Sequence, residues 1–296
     1  MILSSELNEE LTEKYANLKR QLADLGEMLV AFSGGVDSVL LAKVAYDVVG
    51  DKALAVTAVS ESYPGRELRD AKELATHIGI PLRIVRAHEL EDENYAQNAP
   101  NRCYFCKTEL FTQLRAVSED TGINKVVYGA NLDDTGDYRP GMQAADEWGV
   151  YAPLLDARLT KEDIRILSRM LDLRTWDKPA FACLSSRFPH GTRITPEKLS
   201  QVDAAEDLLY DLGFRQFRVR HHEDPAQTWS VARIEVPEEE MRRFFEGDTR
   251  ERVVEELKSL GYGFVSLDLR GYKPGSLNPS LLTIETLTPP RRPSAG

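Results

Sequence analysis

A glycine-rich loop directly after the first short apolar run constrains this chain of 296 residues more than any other feature. The loop, SGGVDS at residues 33–38, stands between the apolar run MLVAF (28–32) and the apolar stretch VLLAKVAYDVV (39–49). This order predicts a strand, a loop and a helix. In such a turn, backbone N–H groups and the helix N-terminus can bind an anion.

The following segments repeat the alternation of strand and helix. A helix is predicted at about 6–25 from its leucine spacing, before the loop. Further strands are predicted at 53–59, 81–87 and 124–131, and helices at 65–79 and 107–122. Strands that alternate with helices predict an α/β fold with a parallel sheet whose faces are covered.

The pattern changes near residue 180. Thr195 and Pro196 predict the start of a helix that runs to about Leu212. Two alternating strands (214–222 and 229–236), one or two helices (237–261) and a last strand (264–272) follow. We therefore predict a first domain at 1–180, a smaller α+β domain at 181–272 and a flexible tail at 273–296, whose last residues include Pro289, Pro290 and Pro293.

Charge and hydropathy exclude some classes of protein. The net charge is −11, which argues against a general binder of nucleic acid or other polyanions. No run of about 18 apolar residues is present, so we expect no membrane span. The N-terminus is acidic and does not resemble a secretory signal. These features predict a cytoplasmic protein whose three cysteines stay reduced.

The loop residues suit a polyphosphate. Gly34 and Gly35 let the backbone approach a phosphate closely. Ser33 and Ser38 offer hydroxyl groups, and Asp37 is a candidate ligand for a metal ion. The loop lacks the lysine of a GxxxxGK[ST] motif. The alternative interpretation is a tight turn between strand and helix that binds nothing.

This loop resembles the signature of the PP-loop ATP pyrophosphatase superfamily. The resemblance implies a Rossmann-like ATP-binding domain that cleaves ATP between the α- and β-phosphates, with Mg²⁺, to give an adenylated substrate and pyrophosphate. The superfamily includes amide-forming synthetases and enzymes that insert sulfur into tRNA or small molecules.

The three cysteines suggest sulfur or metal chemistry. Cys103 and Cys106 form the motif CYFC at the start of a predicted helix, and Cys183 lies in KPAFACLSSR near the predicted domain boundary. A CxxC pair by itself is compatible with a redox pair, half of a zinc site or two ordinary thiols. A zinc site would need a fourth ligand, for which His88 and His190 are candidates. Three cysteines also suit a [4Fe-4S] cluster with one open iron.

Four segments together resemble the LarE family of ATP-dependent sulfur transferases: CYFCKTELF, YGANLDDTGDYRPG, KPAFACLSSR and the pair FRVRHH and ARIEV. The resemblance covers about residues 10–272. It implies adenylation of the two carboxylates of pyridinium-3,5-biscarboxylic acid mononucleotide and their conversion to thiocarboxylates for the nickel-pincer cofactor of lactate racemase. One variant of the family sacrifices the sulfur of a cysteine that matches Cys183. The other carries a [4Fe-4S] cluster on three cysteines, and the three thiols here favour it.

Charged residues of the second domain are candidates for substrate binding. Alternation places Arg218, Arg220 and His222 on one strand face, and Arg233 and Glu235 on one face of the next strand. By pattern alone this is an ordinary solvated sheet face, and Glu206 an exposed helical glutamate. The resemblance assigns Arg187 and Glu206 to catalysis and Arg218, Arg220 and Glu235 to the substrate phosphate. Adjacent histidines of a strand point to opposite faces, so we interpret His221 and His222 as structural, or one of them at most as a phosphate contact.

The segment after the predicted fourth strand adds nucleotide-binding candidates. In open α/β sheets, ligands bind beyond the carboxyl ends of the strands. The candidates there are Gly129, Asn131, Asp134, Asp137 and Arg139. Either Asp134 or Asp137 can hold Mg²⁺ on the pyrophosphate or cap a turn.

Three other functions remain open. A tRNA 2-thiolation enzyme would favour a basic surface. An amide-forming synthetase needs no cysteine, and a sensor or iron–sulfur carrier would bind nucleotide without releasing pyrophosphate. For the favoured function we expect a small nucleotide substrate, a sulfide donor, a downstream nickel-insertion protein and, from the resemblance, a homohexamer, with neither nucleic acid nor membrane as partner.

Overall fold

The computed structural model describes residues 8–136, 140–179 and 182–273. The chain divides into two compact units, Met1–Leu184 and Ser185–Gly296. The division falls four residues after the predicted domain boundary. The tail predicted from residue 273 lies, from 274 onward, outside the described residues, and so do Asp137 and Arg139.

The first unit is built on a parallel sheet of four strands in the order β3-β2-β1-β4. The strands are β1 (Met28–Ala31), β2 (Ala53–Val59), β3 (Leu82–Arg86) and β4 (Val126–Val127). In the register, Met28 lies opposite Ala53 and Leu29 opposite Val126. All four strands of this sheet run in the same direction, which confirms the predicted α/β fold.

Eight helices among the described residues belong to this unit. They are α1 (Glu9–Leu25), α2 (Val36–Val49), α3 (Gly65–Ile78), α4 (Glu93–Ala96), α5 (Arg102–Thr121), α6 (Pro140–Glu147), α7 (Pro153–Asp156) and α8 (Lys161–Met170). Asn8 caps α1, Gly79 ends α3 in a left-handed conformation, and Thr160 with Asp163 forms a capping box at α8. Helix α5 begins five residues before its predicted start, so both cysteines of the CYFC motif lie in the helix.

Helices cover both faces of this sheet. Every residue of β1 is buried, as is typical of a parallel strand between two helical layers. One core cluster packs α1, α2, α3 and α8 together, with Leu22, Leu41 and Leu167 fully buried. A second cluster packs α5 against the sheet through Phe111 and Leu114. The rigid β1–α2 junction positions the glycine loop.

The second unit is a three-stranded sheet with two helices. The strands β5 (Arg218–Glu223), β6 (Ser230–Glu235) and β7 (Phe264–Leu267) lie in that order, with β5 antiparallel and β7 parallel to β6. Thr195 and Pro196 begin α9 (Pro196–Asp211) as predicted. The segment predicted as one or two helices forms a 3₁₀ helix (Glu238–Phe245) and α10 (Thr249–Ser259).

The last predicted strand, 264–272, was too long. Strand β7 ends at Leu267 because the backbone turns, with the Gly271 N–H donating to the Asp268 carbonyl at 3.0 Å. Within the described ranges, no helix has the length and apolar content to cross a membrane.

Candidate functional site

Serine hydroxyl groups hold the glycine loop in shape. Ser38 Oγ accepts a hydrogen bond from the Ser33 N–H at 3.2 Å and donates to the Gly35 carbonyl at 3.1 Å. The two hydroxyl oxygens of Ser33 and Ser38 lie 3.1 Å apart. Helix α2 begins at Val36, so its first N–H groups point into the loop. The structure therefore brings the five predicted loop residues into one tight turn at the start of α2.

Backbone geometry requires glycine at two positions near this loop. Gly34 has φ +72°, a left-handed conformation that side chains disfavour. A Cβ atom on Gly129 would lie 3.0 Å from the Ser38 nitrogen and 3.1 Å from the Asp37 carbonyl carbon. Gly129 follows β4 closely, so the backbone after β4 touches the start of α2.

Asp37 forms an ion pair that the sequence analysis missed. Its carboxylate accepts hydrogen bonds from Lys161 Nζ at 2.6 and 2.5 Å and from Asn131 Nδ2 at 3.3 Å. Lys161 is the first residue of α8, and its own N–H donates to Asp133 at 2.7 Å. The pair places a positive charge beside a loop that has no lysine of its own.

Asn131 and Asp134 lie in the turn after β4. Asn131 is buried, and its N–H donates to the Asp134 carboxylate at 3.0 Å. This bond closes the turn, which is one of the two roles foreseen for Asp134. Asp134 also has interactions beyond this bond.

A pocket of about 280 Å³ opens at the carboxyl ends of the strands in the first unit. Three loop residues line it together with groups from β1, β2 and α5 and with Ala87, the residue after β3. Its polar lining comprises Ser33, Asp37, Ser38, Ser60, Ser62, Tyr63, Glu89, Cys106, Lys107, Tyr128 and Cys183. Three residues of the glycine loop and two of the three cysteines therefore line one cavity.

None of the three cysteines, all of which lie among the described residues, forms a disulfide bond. Burial raises the pKa of the Cys106 thiol, and Cys183, Glu89 and Cys103 raise it further. Burial acts to lower the pKa of Arg102, but Cys183, Tyr95, Cys103 and Cys106 raise it overall. Among the described residues, no group of three or more His, Cys, Asp and Glu side chains is arranged to hold a metal ion.

Backbone contacts tie the segment that carries Cys183 to the glycine loop. The Leu184 N–H donates to the Ser62 carbonyl at 3.0 Å, and the neighbouring Tyr63 hydroxyl donates to the Ser33 carbonyl at 2.8 Å. Lys178 Nζ reaches the Gly34 carbonyl at 3.4 Å and pairs with Glu67 at 2.7 Å. The sequence analysis quoted the KPAFAC segment but assigned no role to Lys178 or Tyr63.

In the second unit, Arg187 and Glu206 form a fully buried ion pair. Arg187 donates from Nε at 2.8 Å and from Nη2 at 2.7 Å to the two carboxylate oxygens of Glu206, a bidentate geometry. Both side chains have 0% exposure. The Val219 N–H also donates to Glu206 at 3.0 Å. Glu206 is therefore buried, and the alternative of an exposed helical glutamate is wrong.

Arg220 and Glu235 form a second buried pair. Arg220 Nε and Nη2 donate to one oxygen of Glu235 at 3.0 and 2.8 Å, and Arg233 donates to the other at 2.8 Å. Arg218 lies over the ring of Tyr272, 5.2 Å from its centroid. Burial and the nearby charge of Arg187 lower the pKa of Arg218 to about 10. The five residues predicted in this unit thus form a connected, charged framework.

The adjacent histidines point in different directions, as expected. His221 is buried against Phe188 and Tyr262. His222 Nε2 accepts a hydrogen bond from Arg233 Nε at 3.0 Å. Burial and the charge of Arg233 lower the pKa of His222 to about 4, which keeps the ring neutral at physiological pH.

Known proteins resemble the chain over very different lengths. A family model described as asparagine synthase matches residues 14–117. An uncharacterized protein of Synechocystis is 46% identical over 268 residues, which are 90% of this chain and 98% of that protein. A pyridinium-3,5-bisthiocarboxylic acid mononucleotide synthase of Lactiplantibacillus plantarum is 38% identical over 279 residues, 94% of this chain and 98% of the relative. The chain belongs to the LarE family.

Membership makes the chain a PP-loop, ATP-binding enzyme of the sulfur-transferase type, as the sequence analysis predicted. A tRNA-specific 2-thiouridylase of Carboxydothermus hydrogenoformans is 29% identical over 195 residues, about half of either chain. The similarity of that enzyme to this LarE-family chain is thus partial, whereas the synthase matches almost end to end.

Proposed function

We propose that this chain adenylates the carboxylates of pyridinium-3,5-biscarboxylic acid mononucleotide and converts them to thiocarboxylates, releasing AMP and pyrophosphate. The observation that carries the proposal is the single pocket faced by both the glycine loop and Cys183. The full-length match to a relative named for the bisthiocarboxylate product supports the choice of substrate.

In the first step the loop would bind the triphosphate. The N–H groups of the loop and of the first turn of α2, with the Ser33 and Ser38 hydroxyls, donate to phosphate oxygens. Asp37 would hold Mg²⁺, which neutralises phosphate charge when bound. A substrate carboxylate then attacks the α-phosphorus, the bond to the β-phosphate oxygen breaks, and pyrophosphate leaves.

In the second step sulfur replaces the adenylate. We assign sulfur delivery to Cys183, because the Ser62–Leu184 hydrogen bond fixes its segment beside the loop. The sulfur nucleophile would attack the acyl carbon, and the bond to the AMP oxygen would break. Adenylation makes this exchange possible because AMP is a better leaving group than oxide or hydroxide.

We further propose that Cys103, Cys106 and Cys183 hold a [4Fe-4S] cluster. None of the three cysteines forms a disulfide bond, two of them line the pocket, and the charge of Arg102 would offset that of the thiolates. In number and chemistry these donors match three ligands of such a cluster, and binding it would require their side chains to move into ligand geometry. When bound, the cluster would supply sulfide from the iron that no cysteine ligates. The competing proposal is sacrifice of the Cys183 sulfur itself.

For the second unit we propose a role in binding the substrate phosphate. Arg218 and Arg220 can donate to phosphate oxygens, and Arg187 would stabilise developing charge while Glu206 holds it in position. Glu235 would orient Arg220 in the same manner. Asn131 and Asp134, with Gly129, belong to the proposed nucleotide site, and we retain Asp137 and Arg139 there as sequence predictions.

The deciding experiment measures iron and acid-labile sulfide per chain after anaerobic purification and reconstitution. Stoichiometric iron and sulfide that are lost in Cys103→Ser would support the cluster. Absence of iron, with a mass loss equal to H₂S after one turnover, would support sacrifice of Cys183. Sulfur transfer by Cys183→Ser would contradict both mechanisms, provided that ATP binding is intact.

A second candidate function is thiolation of tRNA, favoured by the partial match to a tRNA-specific 2-thiouridylase. The net charge of −11 disfavours it, since tRNA binding needs a basic surface. The test is binding of labelled tRNA at physiological salt, with unlabelled tRNA as competitor. If the chain binds the labelled tRNA and the competitor displaces it, thiolation of tRNA replaces the first proposal.

The proposal also includes partners. We propose a homohexamer in the cytoplasm, where its three cysteines stay reduced, a protein that supplies sulfide, and a nickel-insertion protein that takes the product. Light scattering of the purified protein tests the hexamer, and a mass of about 33 kDa would contradict it.

A further inference from the structure

Glu89 is a buried carboxylate in the pocket wall to which the sequence gave no role. It is 4% exposed and lies in a short 3₁₀ helix, Glu89–Glu91. The hydroxyls of Ser60 and Ser62 both donate to its Oε1 atom, Ser62 at 2.7 Å. Within the described ranges, no residue donates a hydrogen bond to Oε2. A buried carboxylate with one oxygen that accepts no hydrogen bond lowers the stability of the fold, and a bound positive group would offset that loss.

The carboxylate lies at the end of the pocket where the cysteines are. The Ser62 carbonyl accepts from Leu184, the residue after Cys183, so Ser62 links Glu89 to that segment. Glu89, Cys106 and Cys183 all line this pocket. A group that enters the pocket can therefore meet the carboxylate.

The surrounding wall favours an organic cation over a metal ion. Mg²⁺ binds oxygen ligands and keeps several waters. The pocket that Glu89 lines combines polar groups, Lys107 and Asp37 among them, with the apolar side chains of Ala87 and Leu110. Leu110 lies one turn after Cys106 on the same face of α5. Apolar surface in the same pocket as a buried carboxylate suits a flat, positively charged ring.

We propose that Glu89 recognises the positively charged ring nitrogen of the pyridinium substrate. The inference rests on the proposed function and deepens it, because it names the feature of the substrate that this residue selects. Ser60 and Ser62 position the carboxylate through Oε1 and leave Oε2 to face the ring. In a pocket of low polarity, such a charge pair is stronger than in water.

The test compares two probes that carry the same carboxylates and differ in ring charge: N-methylpyridinium-3,5-dicarboxylate and pyridine-3,5-dicarboxylate at pH 8. Isothermal titration on the full-length protein should show that the wild type binds the cationic probe about 10-fold more tightly. In Glu89→Gln, which keeps the serine hydrogen bonds, the preference should fall to about twofold or less. Glu89→Asp, which keeps the charge, should retain most of it.

The matched control is Glu91→Gln in the same 3₁₀ helix. Glu91 pairs with His88 and its side chain is 79% exposed, so its variant should keep the preference. An unchanged preference in Glu89→Gln would overturn the inference. A loss of Mg·ATP affinity in Glu89→Gln without a change in probe preference would overturn it in favour of a metal ligand.

The same experiment separates failure of the inference from failure of the proposed function. If the wild type binds neither probe and does not turn over the mononucleotide, the substrate itself is wrong and the inference falls with it. If the wild type turns over the mononucleotide and binds both probes equally, only the role of Glu89 is wrong. In turnover, Glu89→Gln should raise KM for the mononucleotide at least about 10-fold and leave KM for ATP within about twofold.

Discussion

Charged residues dominate both candidate regions, but the glycine loop of the first unit and the arginine–glutamate framework of the second unit neutralise charge in different ways. At the loop, Asp37 and its partner Lys161 are 22% and 37% exposed, so a ligand can reach and replace either group. In the framework, Arg187 and Glu206 are both at 0%. The first pair is exchangeable, whereas removal of either member of the second leaves a buried charge without a partner.

The largest expected effect is loss of stability in the framework. Arg187→Met should destabilise the second unit by about 3–5 kcal/mol, because it removes the positive charge that is paired with the buried Glu206 carboxylate. Urea unfolding followed by circular dichroism measures the change. The double variant Arg187→Met/Glu206→Leu should recover part of the loss.

The control for that comparison is Arg250→Met, which removes one member of the exposed pair Arg250–Glu251. Its unfolding midpoint should stay near the wild-type value. An equal loss of stability in Arg187→Met and Arg250→Met would show that burial does not distinguish the two pairs.

The next effect concerns the loop backbone. Gly129→Ala should weaken ATP binding at least about 10-fold, because its Cβ would press on the backbone of Ser38 and Asp37. Fluorescence titration with an ATP analogue gives the dissociation constant. Gly122→Ala provides the control: it lies at φ +79° with open space around it, so it should lose about 1 kcal/mol of stability and keep its ATP affinity.

The Asp37–Lys161 pair is partly exposed, so a ligand can replace either partner. We therefore expect a smaller and more selective effect from a substitution in this pair. Lys161→Ala should weaken ATP binding by about 10-fold and AMP binding by less than about twofold, since Lys161 can turn from Asp37 to the β- and γ-phosphates. Calorimetry with both nucleotides measures the ratio. Lys43→Ala on α2 removes a comparable exposed pair with Asp47 and should affect neither. Equal losses for ATP and AMP would make Lys161 a structural partner of Asp37 only.

The smallest expected effect is the pH dependence of the second unit. The pKa of His222 is lowered from 6.5 to about 4 in the folded chain, so the unfolded chain binds a proton first as the pH falls. The stability that comes from neutral His222 is present above pH 6.5 and is lost between pH 6.5 and about 4. Between pH 6.5 and about 4, the melting temperature of His222→Asn should therefore fall less than that of the wild type.

His77→Asn, on the exposed face of α3, serves as the control for this pH experiment. It should follow the wild-type curve in its dependence on pH. If His222→Asn and the wild type lose the same melting temperature between pH 6.5 and 4, neutral His222 makes no contribution to acid stability.

Short-range patterns in the sequence were sufficient for most of the fold. The alternation of strands and helices predicted the parallel sheet, and Thr195-Pro196 predicted the start of α9. These signals succeed because apolar periodicity, caps and glycines act within a few residues of chain. The end of β7 was missed because it depends on a turn from Asp268 to Gly271 that an alternating pattern does not reveal.

The short range of these signals also explains which residues of the candidate site could be predicted from the sequence. Ser33 to Ser38 could be proposed from the sequence because a glycine loop between strand and helix is a structure able to bind an anion. Lys161, 124 residues from Asp37, and Glu89, in an acidic stretch of the sequence, carried no such signal. Gly129 was found through its place after a strand, although its tight contact with α2 is visible only in the fold.

The sequence by itself determined the α/β architecture, the glycine loop and membership of the LarE family, because these depend on the order of residues along the chain. Only the tertiary structure decided which charge meets which: Lys161 with Asp37, Lys178 with Glu67, Arg187 with Glu206. The physical reason is that apolar periodicity reports which face of an element is buried. The partner of a buried or half-buried charge is set by residues that folding brings together from distant parts of the chain.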